Sequence, residues 1–99
     1  MKLILDKNLI NENPANFLKK AGYGFIIDRK TGNESFVRRC GRNFYPRFHM
    51  YIDEAGDKII FNLHLDQKQA SYEGAHAHNA EYDGEAVERE IERIKEFII

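Results

Sequence analysis

Four histidines, His49, His64, His76 and His78, are the residues of this chain best suited to chemistry. Imidazole nitrogens joined by one carboxylate form the ligand set preferred by zinc and related divalent transition metals. Asp66, Glu81 and Asp83 lie near enough in sequence to supply that carboxylate. The leading reading is therefore a metal centre built from His49, His64, His76 and His78. The spacings match no zinc-finger or zincin pattern, so histidines that merely line a polar surface or satisfy local hydrogen bonds are the plain alternative.

A second source of chemistry is the stretch Arg38-Arg39-Cys40-Gly41-Arg42-Asn43-Phe44-Tyr45-Pro46-Arg47, four arginines with two aromatics. Guanidinium groups clamp phosphates while rings stack on bases. Placed beside His49 and His64, Arg38, Arg39, Arg42 and Arg47 would suit an RNA-binding or metal-independent RNA-cleaving protein. One imidazole would take the 2′-hydroxyl proton, another would protonate the leaving oxygen, and arginine would offset the charge at phosphorus. In the competing structural reading these arginines pair with an acidic C-terminal helix. Arg39 beside Cys40 would lower the thiol pKa. No Walker loop, dinucleotide fingerprint or serine-nucleophile elbow is present. His76-x-His78-x-x-Glu81 is similar to part of the cupin metal motif over about six residues. Its gap to the glutamate is too short and the second motif is missing, so it implies nothing further.

These side chains need a scaffold, and the hydrophobic pattern supplies one. Phe48, Met50 and Ile52 alternate with Arg47, His49, Tyr51 and Asp53; Ile59, Phe61, Leu63 and Leu65 alternate with Lys58, Ile60, Asn62, His64 and Asp66. Such alternation predicts two half-buried antiparallel strands. With Ala55-Gly56 centring the turn, His49 opposes Asn62 and Arg47 opposes His64, making the histidines diagonal neighbours. A slip by two residues would set them directly opposite.

Upstream, Tyr23, Phe25 and Ile27 predict a strand that turns at Lys30-Thr31-Gly32 and returns with Ser35 and Val37 on the same face, opposite Asp28, Glu34 and Arg38. Leu3, Leu5 and Leu9 suggest a first short strand. Asn13-Pro14 opens a short helix that buries Phe17 and Leu18 and closes at Gly22. Residues 67–83 read as a long loop able to cover the histidine face. Val87, Ile91, Ile94 and Ile98 form one stripe of a final helix capped by Asp83, with its acids read as solvated.

The expected fold is α+β: one domain over residues 1–99, an antiparallel β-meander of four to five strands with the C-terminal helix packed on one face. The expected core is Phe25, Ile27, Val37, Phe48, Met50, Ile52, Ile59, Phe61, Leu63, Val87, Ile91, Ile94 and Ile98.

Composition agrees with a single globular unit: 99 residues, 42% hydrophobic and 31% charged. No run approaches the ~18 apolar residues that span a bilayer. Asp6 interrupts the apolar N-terminus, which leaves no signal-peptide core. One cysteine excludes an internal disulfide framework and fits a reducing, cytoplasmic setting. The net charge of −1 hides an asymmetry. Residues 1–50 carry 10 Lys/Arg and 4 Asp/Glu, whereas residues 51–99 carry 5 and 12. The halves would attract each other within the fold or across a homodimer, and the basic half would also suit RNA. Besides metal binding and RNA binding, a non-catalytic protein-interaction module stands as a third reading.

Overall fold

The central hairpin forms where the alternation is cleanest. In the computed structural model, which describes residues 1–67, 80–81 and 83–98, β4 (Arg47–Ala55) pairs antiparallel with β5 (Lys58–Asp66) along their whole length. Ala55 pairs with Lys58, so the loop is the two residues Gly56-Asp57, with Gly56 at φ 61°. Glycine with positive φ at the first position of a two-residue loop is the type II′ requirement. The turn therefore lies one residue further along than Ala55-Gly56, and every pair shifts by two relative to the expected register. His49 opposes His64, Arg47 opposes Asp66 and Tyr51 opposes Asn62.

Around this hairpin, β1 (Lys2–Asp6) adds to the outer edge of β5, while β3 (Glu34–Arg39) and β2 (Gly24–Ile27) follow on the other side. The sheet order is β1-β5-β4-β3-β2, all antiparallel, a four-strand meander with the first strand returned to its far edge. A two-residue strand, β6 (Ala80–Glu81), continues the β1 edge by pairing with Leu65 and Asp66. It lies within the segment expected to be all loop.

One face of the sheet is apolar and carries both helices. Phe48, Met50, Ile59, Phe61, Leu63 and Leu65 are buried in a single core with Leu3 and Leu5 from β1. Helix α1 (Pro14–Lys20) starts where Asn13 Oδ1 accepts from the Asn16 amide at 2.8 Å and ends before Gly22 at φ 100°; it buries Phe17 and Leu18. Helix α2 (Glu85–Lys95) adds buried Val87, Ile91 and Ile94, with Ile98 half-buried beyond its end. Its cap is Gly84 at φ 127°, not Asp83. No helix among the described residues is long and apolar enough to cross a membrane.

Two expectations about faces fail. The β2–β3 connection is six residues, 28–33, rather than three; Asp28 Oδ1 accepts from the Lys30 and Thr31 amides, and Gly32 takes φ 76°. The resulting register pairs Phe25 with Phe36, Gly24 with Val37 and Ile26 with Ser35. An odd change of register moves every β3 side chain to the other face. Phe36 joins the core, Ser35 and half-buried Val37 join the histidine face, and Arg38 turns toward the helices. Phe25 and Ile27, on the edge strand, are 45% and 55% exposed instead of buried.

The second failure concerns Glu90, which is only 4% exposed rather than solvated. It accepts from the Tyr23 hydroxyl at 2.6 Å and from Arg93 at 2.8 and 2.9 Å, with Arg38 at 3.4 Å. Arg93 also donates to the Ala21 carbonyl at 2.6 Å, which ties the end of α1 to α2. Burial, reinforced by the bond to Glu90, pushes the Tyr23 pKa far up and keeps its hydroxyl a donor. Both guanidinium groups keep about a third of their surface in water, so deleting their partner falls at or below the lower end for a broken buried pair. Glu90→Ala should lower stability by about 2–3 kcal/mol, read as a reduced urea midpoint. Glu90→Gln, which keeps an acceptor for Tyr23, should cost less.

Candidate metal centre

The face of the sheet opposite the helices gathers the polar residues of four strands. Direct pairing of His49 with His64 brings their rings together, with centroids 4.8 Å apart and planes tilted by 49°. Tyr51, next along β4 on that face, covers both rings, at 4.7 Å from His49 and 5.9 Å from His64. Asp66, two residues beyond His64, sits on the same face because side chains alternate along a strand.

Asp66 is the hub. Its Oδ2 lies 2.9 Å from His49 Nδ1 and accepts from Arg47 Nε at 3.1 Å; its Oδ1 lies 2.7 Å from His64 Nε2. An ionised carboxylate only accepts, so both facing imidazole nitrogens carry a proton and donate. The far nitrogen of a neutral His49, Nε2, then accepts from the Ser35 hydroxyl at 2.8 Å. His49 and Ser35 are buried, and Asp66 and His64 are half-buried. Burial pushes the Asp66 carboxyl pKa up, but the hydrogen bonds from His49 and His64, the charge of His49 and the bond from Arg47 outweigh it. The net effect holds Asp66 well below the usual carboxylate range.

One ligand-type atom from each of His49, His64 and Asp66 falls within 4.8 Å of the others. A tetrahedral ion with bonds near 2.05 Å spaces its ligand atoms about 3.4 Å apart. To admit one, the Asp66 contacts must open by about half an ångström, and no pair need close by more than about 1.4 Å.

The other residues singled out in the sequence are distributed unevenly. His76 and His78 lie outside the described residues. Glu81 pairs with Leu65 through the backbone, and Asp83 is exposed. Arg39 and Arg47 oppose each other at the end of the histidine face, while Arg42 is exposed in the following loop. Arg38 is on the other side of the sheet with Glu90, where one arginine does meet the acidic helix. Cys40 is exposed, and what cover its thiol has pushes its pKa up rather than down, so Arg39 does not activate it.

Ser35 was missed as a member of the site, because the expected three-residue turn put it on the apolar face. The Gly56-Asp57 dipeptide was a legible signal for the register that sets His49 against His64.

Because the Asp66 carboxyl pKa is lower folded than unfolded, its contribution is fully present above the unfolded value of about 3.9 and is lost as pH falls through the folded value. Asp66→Asn should cost about 1–3 kcal/mol near neutral pH, and the gap from wild type should narrow below about pH 3. Urea unfolding at both pH values measures this; a gap that stays constant would contradict it. Comparison of the chain with known protein families, curated proteins and solved structures finds no match in any of the three, so the functional reading rests on this geometry.

Proposed function

We propose that this protein binds a divalent transition metal, with zinc or iron the best suited, through His49 Nδ1, His64 Nε2 and an oxygen of Asp66. The observation that carries the reading is that one ligand-type atom from each of His49, His64 and Asp66 lies within 4.8 Å of the others on one sheet face, with His49 Nδ1 and His64 Nε2 the ring nitrogens that face the carboxylate. Two imidazoles and one carboxylate suit zinc, and they are also the ligand set of non-haem iron centres with open positions. His76 and His78, which lie outside the described residues, are the sequence's candidates for the remaining positions. If they do not ligate, those positions are open to water or a substrate.

Ser35 supports the reading. A metal-bound histidine donates its other ring N–H to a fixed acceptor, which sets tautomer and orientation. When His49 Nδ1 gives up its proton to bind metal, Nε2 becomes the donor. Ser35 Oγ, already 2.8 Å away, can accept as readily as it donates. The hydroxyl thus serves both forms of the ring. The bonds from His49 and His64, with that from Arg47, hold the carboxylate ionised, as a ligand must be.

Protein purified without a histidine tag should carry close to one metal per chain by mass spectrometry, or take one up on addition. Saturating metal, about a hundredfold above its dissociation constant, should add about 2.7 kcal/mol to stability, with a chelator reversing the gain. His64→Ala should abolish binding, and Ser35→Ala should weaken it by about 10–100-fold. Absence of bound metal together with no stabilisation by zinc, iron, cobalt or nickel would overturn the proposal.

A further inference from the structure

Beyond the metal reading, the geometry points to a phosphoryl-binding site at the Arg39–Arg47 end of the histidine face. These two arginines are directly opposed across β3 and β4, an arrangement that places like charges together and is unfavourable without a counter-anion. Among the described residues one carboxylate, Asp66, pairs with either of the two. Asp66 takes Arg47 through Nε, and among the described residues no ion pair engages Arg47's terminal nitrogens or any part of Arg39. Those nitrogens form the fork that matches phosphate oxygens in bidentate fashion.

Both guanidinium groups are also pre-positioned. Arg39 lies 4.0 Å over the Phe44 ring and Arg47 lies 4.7 Å over Tyr45. Ring packing restrains their planes, which lowers the ordering cost of gripping an anion. Phe44 is 63% exposed, unusual for so large an apolar side chain, and its ring gives a base or sugar attached to the phosphate a surface to stack on. Arg38 takes no part, because it is committed to Glu90 on the other face.

The ligand chemistry is therefore a phosphoryl group, carried either by a mononucleotide or by the backbone of a single strand. Because the arginines hold it, binding should survive removal of metal, which separates this inference from the metal proposal. The test is titration of chelator-treated full-length protein at low salt with inorganic phosphate, adenosine monophosphate and a short single-stranded oligoribonucleotide. We expect saturable binding, about tenfold weaker in Arg39→Gln, whose metal uptake and melting should match wild type. Phe44→Ala should weaken the two nucleotide probes and leave phosphate unchanged. An oligonucleotide that binds tightest, with affinity falling at a log–log salt slope of about −1.4 for two phosphate contacts, identifies a strand. A mononucleotide that binds equally well identifies a small-molecule site. No saturable binding of any probe up to millimolar concentration, or an Arg39→Gln protein that binds like wild type, would overturn the inference.

Discussion

Pairing of His49 with His64 across β4 and β5 holds the candidate site together, and the rest of the polar face follows from it. The same register sets Arg47 against Asp66 and so delivers the carboxylate to both imidazoles. A one-residue slip would send the apolar set of one strand, either Phe48 and Met50 or Phe61 and Leu63, to water and is excluded by the core. A two-residue slip would keep the core residues inside, so hydrophobic burial alone does not choose between the observed register and the diagonal one. That choice belongs to the two-residue Gly56-Asp57 turn, with Gly56 at φ 61°, and to the Arg47–Asp66 ion pair at the open end of the hairpin. A local backbone requirement thereby fixes the geometry of side chains some seven residues from the turn.

The sheet separates two ionic clusters by face, and both follow one rule: a carboxylate taken from water is surrounded by donors. On the helix side Glu90 is met by Tyr23, Arg93 and Arg38, which lock α2 against the turn after α1. On the opposite face Asp66 is met by His49, His64 and Arg47. The difference lies in the donors. The arginines around Glu90 are not metal ligands, and burial with the bond to Glu90 holds Tyr23 protonated, so that cluster reads as structural. The imidazoles around Asp66 can exchange a proton for a metal, so the same saturation that stabilises the metal-free fold leaves a coordination set behind.

Much of this was legible in the sequence. Alternation in residues 47–66, the Asn13-Pro14 helix start and the stripe in α2 specify the antiparallel sheet with its helix layer, and they place His49 and His64 on a common polar face. What was not legible turned on turn lengths, on edge exposure and on contacts distant in sequence. Six residues rather than three between β2 and β3 reversed β3, which hid Ser35 among apparent core residues; Phe25 and Ile27 keep to the core side but are exposed because β2 is an edge strand. Glu90 was obscured because an acid on a charged helix resembles its solvated neighbours; its burial depends on Tyr23 and Arg38, 67 and 52 residues away. The arginine stretch looked like one patch, yet strand alternation sends Arg38 to the opposite face from Arg39 and Arg47.

The most direct test of the central claim is a long-range proton–nitrogen NMR spectrum of the imidazole rings, recorded at mildly alkaline pH before and after one equivalent of zinc. In the metal-free protein His49 should be protonated at Nδ1 and His64 at Nε2, the nitrogens that face Asp66. With zinc, those two nitrogens should take metal-bound shifts and the His49 proton should appear on Nε2, toward Ser35. Imidazole signals of His49 and His64 that stay unchanged through a full equivalent of zinc would contradict the account.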